Sequence, residues 1–314
     1  MTSDAAIVIE KLSYRYGERK ALNEVSFSVT KGEIFGLLGA NGGGKTTLFR
    51  ILSTLFQAAE GRSSIAGMDL REQSANVRQN IGVVFQAPSL DKKLTVFENL
   101  RHQGHLYGLS GSSLNHRIEE MLTKVRLSDR ANEWVEKLSG GLQRRAEVAK
   151  ALLHQPKVLL LDEPSTGLDP GARKDLWDYL MELKQKEGTT ILVTTHLMEE
   201  AERCDRLGIL DQGKLLALDT PQNLRSKIGG DVIIAQSSNP QALADQIKSK
   251  FGGEPTVLDN TVRLEQAKGH EFIAKLIEAF PGQIDSISVG RPTLEDVFIR
   301  LTGHRFWEEK KEKK

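Results

Sequence analysis

Cysteine is nearly absent. The 314 residues contain one, Cys204, so no internal disulfide and no cysteine-rich metal scaffold can form, which fits a reducing compartment. No stretch reaches the roughly 18 uninterrupted apolar residues that a bilayer-spanning helix needs. The opening Met1-Thr-Ser-Asp-Ala-Ala-Ile-Val-Ile-Glu10 has an early acid and too short an apolar run for a secretory signal. Neither sign of charge dominates: 43 basic and 42 acidic residues leave a formal net charge of +1. That balance gives no electrostatic reason to expect nucleic acid as a partner. The remaining composition, 39 % hydrophobic and 27 % charged, is that of an ordinary globular protein. The length suggests two domains.

Periodicity supplies the organisation. Ile7-Val-Ile9 and Val25-Ser-Phe-Ser-Val29 alternate apolar and polar residues, which predicts half-buried antiparallel strands. Glu33-Ile-Phe-Gly-Leu-Leu38 reads as a buried strand, and from Lys45 the period turns helical, with Leu48, Ile51, Leu52 and Leu55 on one face. Thr95-Val-Phe-Glu98 has the spacing of a capping box. Ile118, Met121, Leu122 and Val125 then form the stripe of an amphipathic helix. These features predict a helical insert from residue 88 that reaches 155 when the helix after Ser139 is included. Apolar strands Lys157–Leu161 and Thr190–Thr194 flank a helix over 170–187, an alternation that implies a parallel sheet covered on both faces. Leu207–Leu210 and Lys214–Leu218 read as a closing hairpin. Gly229-Gly230 marks the expected boundary between a first domain, 1–228, and a second, 229–303. The second has the βαββαβ order of a ferredoxin-like α+β unit, and 304–314 is a charged tail.

The strongest chemical signal is Gly39-Ala-Asn-Gly-Gly-Gly-Lys-Thr46, which matches G-x-x-x-x-G-K-[ST] between a buried strand and a helix. Glycines let backbone N–H groups wrap phosphate oxygens, and the helix adds its positive end. Lys45 can neutralise β- and γ-phosphate charge, and the Thr46 hydroxyl can ligate Mg²⁺. Val158-Leu-Leu-Leu-Asp-Glu163 delivers two adjacent acids from a buried strand. Alone, such an ending fits a surface turn equally well. Beside a phosphate loop, Asp162 suits the metal and Glu163 suits a general base for water. Leu138-Ser-Gly-Gly-Leu-Gln143 places a serine cap and two glycines at a helix start. That is either a cap and nothing more or a second anion site.

In this order, the motifs resemble the ATP-binding subunit of an ABC transporter over residues 5–225. The resemblance makes Gly39–Thr46, with Thr47, the Walker A loop and Gln86, after Ile81-Gly-Val-Val-Phe85, the Q-loop glutamine. Leu138–Gln143 is similar to the signature, Val158–Asp162 to Walker B followed by catalytic Glu163, and Ser165-Thr-Gly-Leu-Asp169 to the D-loop. His196 matches the switch histidine, and Tyr16 the aromatic that stacks on adenine. Ala40 and Leu142 depart from the commonest residues at their positions.

The resemblance implies an α/β P-loop NTPase core with an antiparallel β subdomain and a helical subdomain. It also implies ATP and Mg²⁺ as cofactors, with Thr46, Gln86 and Asp162 on the metal. Glu163, His196, Lys45 and Gln86 are the expected catalytic set. Tyr16, Gly39, Ala40, Asn41, Gly42, Gly43, Gly44, Lys45, Thr46 and Thr47 are expected on the nucleotide, joined by Ser139, Gly140 and Gly141 from a second subunit of a homodimer or pseudo-dimer. Pro292-Thr-Leu-Glu-Asp-Val-Phe298 resembles the ending of drug-, lipid- and polysaccharide-exporter ATPases. The implied partner is an integral-membrane permease, and the implied place is the cytoplasmic face of the cell membrane. A rival reading is a soluble ABC ATPase clamping DNA or ribosomes. Gln86 and Leu138 lie too close in the chain to flank a long coiled coil, and one phosphate loop makes one cassette.

Overall fold

The structure is a computed structural model that describes residues 4–305; residues 1–3 and most of the charged tail, 306–314, lie outside it. The chain divides into two compact units, Met1–Leu218 and Asp219–Lys314.

The first unit holds two sheets. Strands Ala5–Tyr16 and Arg19–Thr30 form the expected antiparallel hairpin. Glu60–Ile65 and Met68–Asp69 extend its sheet on the other side. The second sheet runs in the order Lys214–Asp219, Arg206–Asp211, Ile34–Leu38, Thr190–Thr195, Val158–Asp162, Ile81–Val84. From Arg206–Asp211 to Ile81–Val84 the pairings are parallel. Ile34–Leu38 and Val158–Asp162 are buried at every position, as strands covered on both faces must be. One apolar cluster joins the two sheets through Leu48, Phe49, Ile51 and Leu52 of the helix Lys45–Leu52.

That helix is shorter than its apolar stripe suggests. Thr54 takes φ 62°, and the N–H groups of Leu55 and Phe56 turn back to Arg50 O at 2.9 and 3.1 Å. Leu55 is left exposed instead of continuing the buried face. The helical subdomain contains helices Val96–Leu106, Gly111–Lys124 and Gly140–Leu152, and its first eight residues are not helical. The capping box closes in both directions: Glu98 N–H donates to Thr95 Oγ1 at 3.2 Å, and Thr95 N–H donates to Glu98 Oε2 at 2.8 Å. Helix Pro170–Glu187 starts on an Asp169 cap and ends at Gly188 in the left-handed region.

The second unit contains strands Asp231–Gln236, Thr256–Leu258, Thr261–Gln266 and Ser286–Gly290, with helices Pro240–Phe251 and Gly269–Ala279 between them. In chain order, the strands lie second, third, first, fourth, all antiparallel. This is the ferredoxin-like βαββαβ arrangement. Its separate core includes Ile233, Leu243, Ile247, Val262 and Leu276. The boundary differs from the expected 228/229. Helix Pro221–Ser226 packs on helix Leu294–Thr302, and Arg300 donates to Lys227 O at 2.9 Å. Those contacts draw the segment after Leu218 into the second unit, and the Gly229-Gly230 pair is a bend inside it.

Candidate nucleotide site

The phosphate loop follows from backbone geometry that side chains would obstruct. A Cβ at Gly39 would lie 2.3 Å from Leu210 O. Gly44, the residue before the helix, has φ 107° and would bring a Cβ to 2.8 Å from Ala21 O. The turn Ala40-Asn-Gly-Gly43 closes with Gly43 N–H donating to Ala40 O at 3.1 Å. Beside it lies an open pocket of about 230 Å³, lined by Tyr16, Arg19, Ala40, Asn41, Gly42, Gly44, Lys45, Thr46, Thr47, Gln86 and Glu163, with Ala21. Gly39 and Gly43 build the loop without lining the pocket. Tyr16 is 43 % exposed and packs edge-on to Tyr14, so its ring is available at the pocket mouth.

Glu163 is the centre of the site. Its carboxylate is 3.4 Å from Lys45 Nζ, accepts from Gln86 Nε2 at 3.3 Å and from Thr166 Oγ1 at 3.4 Å, and lies 3.0 Å from His196 Nδ1. The His196 contact is off the line of a hydrogen bond, and that ring nitrogen has no other partner among the described residues. Lys45 also donates to Gly39 O at 2.7 Å and Ala40 O at 3.2 Å. Burial lowers the Lys45 pKa, opposed by Glu163. It raises that of Asp162, opposed by the hydrogen bond from Thr194. Both shifts come from desolvating a charge.

Sequence reasoning missed Thr194 and Arg144. Thr194 Oγ1 donates to Asp162 Oδ1 at 2.5 Å. Glu163 N–H points at Thr194, 3.0 Å from Oγ1 and 3.1 Å from the carbonyl oxygen. Glu163 itself takes φ 45°, a left-handed conformation costing about 1–2 kcal/mol in a non-glycine residue. One threonine on the neighbouring strand thus holds both acids. Arg144, the residue that follows the signature, is buried. It donates to Phe85 O at 2.7 Å, Pro164 O at 2.8 Å, Asp162 O at 3.2 Å and Glu147 Oε2 at 2.6 Å. Arg19 was also overlooked, although its guanidinium sits 3.6 Å from where a Gly42 Cβ would be. The sole signal for it was proximity in sequence to Tyr16.

Ser139, Gly140 and Gly141 are not brought to this pocket. Ser139 Oγ caps the helix Gly140–Leu152, accepting from Leu142 N–H at 3.4 Å. Gly141 lies where a Cβ would meet Ala172 Cβ at 2.6 Å, so it also serves close helix packing.

A phosphate-binding loop at the carboxyl end of a parallel sheet, facing a buried acid pair on the strand two places away, defines a P-loop nucleotide hydrolase. Residues 22–166 match the ABC transporter family. The chain is 37 % identical to the daunorubicin resistance ATP-binding protein DrrA2 of Streptomyces coeruleorubidus, over 96 % of both chains. It is 40 % identical to the Nod factor export ATP-binding protein I of Burkholderia orbicola, over 96 % of this chain and 98 % of that one. A solved ATP-binding subunit of an ABC transporter superposes with a TM-score of 0.64 at 32 % identity, covering 71 % of this chain and 93 % of that one. A solved dimeric ATP-binding cassette in a post-hydrolysis state bound to ADP and phosphate gives 0.61 at 28 % identity, covering 68 % and 98 %. The chain belongs to the ABC transporter ATP-binding family, binds nucleotide and is an ATPase.

Proposed function

We propose that this chain is the energy-supplying subunit of an exporter, working on the cytoplasmic face of the membrane through a separate integral-membrane permease. The observation that carries this reading is end-to-end similarity: the resistance and export relatives match the C-terminal unit as well as the cassette, over 96 % of the chain. Among the described residues no helix is long and apolar enough to cross a membrane. A clamp on DNA or ribosomes finds no support in the resistance and export relatives.

The residues fit Mg²⁺. Thr46 hydroxyl, Gln86 amide oxygen and Asp162 carboxylate are hard oxygen donors of the type that ion prefers. Thr46 and Gln86 line the pocket, Asp162 is buried behind it, and Gly39 and Gly44 let the loop pack against Leu210 O and Ala21 O. When bound, Mg²⁺ neutralises phosphate charge. Asp162 is buried at the end of its strand, where Thr194 orients it. Glu163 accepts a proton from water, with Gln86 hydrogen-bonded to its carboxylate and the His196 ring beside it. Lys45 supplies positive charge to the phosphates, Tyr16 offers its ring to the base, and Arg19 lines the pocket beside Gly42 of the loop. Ser139, Gly140 and Gly141 act on the nucleotide of a second subunit, in a homodimer or pseudo-dimer, since their own pocket does not include them.

Glu163→Gln tests the assignment of the base. It keeps shape and hydrogen bonding but cannot take a proton, so turnover falls by about 10²–10⁴ while ATP affinity holds and closed dimer accumulates. Hydrolysis at the wild-type rate removes Glu163 from that role.

A further inference from the structure

The second unit carries an unguarded sheet edge. Strand Ser286–Gly290 pairs on one side with Asp231–Gln236, and no described strand pairs on its other side. Edge strands are ordinarily protected by lysine, proline or other charge. Ser286-Ile-Ser-Val-Gly290 has none of these.

Register shows which backbone groups are free. Ser237 N–H donates to Asn260 O, so odd-numbered positions around Asp231–Gln236 address the strand Thr261–Gln266. Even-numbered ones, Val232, Ile234 and Gln236, address Gly290, Ser288 and Ser286. By the alternation of an antiparallel ladder, Ile287 and Val289 then aim their N–H and C=O groups outward. Val289 is 37 % exposed, and Ile277, on the helix packed against this strand, is 50 % exposed.

We propose that this edge pairs with the same edge of a second copy of the chain, joining two C-terminal units into one continuous sheet. The sequence is self-complementary about a twofold axis through Ser288. Antiparallel pairing there sets Ser288 against Ser288 of the second copy and Ile287 against Val289, so the outward backbone groups of both copies meet. Asp285 N–H, just before the strand, turns inward to Gln236 O at 2.9 Å, so the new ladder ends at Ser286. Beyond it the side chains of Asp285 and Arg291 from opposite copies come near one another, twice. Both residues are exposed, and neither makes an ion pair among the described residues. Opposite charges facing each other across strands stabilise pairing, and like charges oppose it. This contact is made by residues of the second unit alone and needs no nucleotide.

The test uses the full-length chain without nucleotide, in sedimentation velocity and oxidative cross-linking. A dimer is expected. Ser288 sits at a non-hydrogen-bonded pair, where Cα atoms lie about 4.5 Å apart, within disulfide reach. Ser288→Cys therefore cross-links to a dimer, Ser286→Cys does not, and buried Cys204 stays silent. Asp285→Arg and Arg291→Asp each weaken association several-fold, and the double exchange restores it to within about twofold of wild type. A monomer at every concentration, a dimer that forms only with ATP, Ser288→Cys linking only to other polypeptides, or failure of the double exchange to restore association overturns the proposal.

Discussion

At the residue scale, a single hydroxyl does the positioning in the acid pair. Thr194 donates to Asp162 and faces the Glu163 N–H, with Glu163 in a left-handed backbone conformation that needs support. Thr194→Val keeps the volume but leaves the buried Asp162 carboxylate oxygen without its donor, while the Glu163 N–H keeps the carbonyl of residue 194. The expected cost is about 1–3 kcal/mol of stability, visible in urea unfolding. The expected fall in kcat is about tenfold or more, equal to roughly 1.4 kcal/mol of barrier. Nucleotide KM changes by less than about threefold, and Thr194→Ser recovers most of the rate. A KM effect equal to the kcat effect assigns Thr194 to ground-state binding instead.

At the element scale, the buried Arg144–Glu147 pair links segments that are distant in sequence. Arg144 reaches carbonyls at Phe85, Asp162 and Pro164, while Glu147 accepts from Ser89 N–H at 2.6 Å. Arg144→Met strands Glu147 and three peptide oxygens, and breaking one partner of a buried pair costs about 3–5 kcal/mol. Differential scanning calorimetry should show that loss in the first unit, and a drop of under 1 kcal/mol contradicts the assignment. The sequence exposed the elements that advertise themselves by pattern: the glycine loop, the apolar strands Ile34–Leu38 and Val158–Asp162, and the Thr95–Glu98 cap. It concealed Glu60–Ile65, whose Glu-Gly-Arg-Ser-Ser is too polar to read as a strand, and Arg144, which in a helix of mixed charge looks like a solvated cation. What hid them was tertiary context, because a charge's burial depends on which distant carbonyls the fold brings to it.

At the scale of the whole molecule, two units with separate cores make stability the property of each unit. Asp219 opens the second. Hydrogen bonds from Asn223 Nδ2, the Lys227 ammonium and Thr220 N–H hold its carboxyl at about 2, below the ordinary 3.8. A depressed carboxylate contributes stability above its unfolded pKa and loses it as pH falls through the folded one. The difference in melting temperature between wild type and Asp219→Asn should therefore be full near pH 6, shrink below about pH 4 and close near pH 2. A difference that does not change with pH rules out the ionised form as its source.

The buried arginine has a consequence for how such chains diversify. Three of its four acceptors are peptide carbonyls, which every amino acid supplies alike. The joint between the helical block and the strands beneath it therefore constrains one arginine and its glutamate, and leaves Phe85, Asp162 and Pro164 unconstrained by that joint. A helical block transplanted from a relative should seat correctly as long as it brings that pair, however different its surface, so the face available to partners can drift while the mounting stays the same.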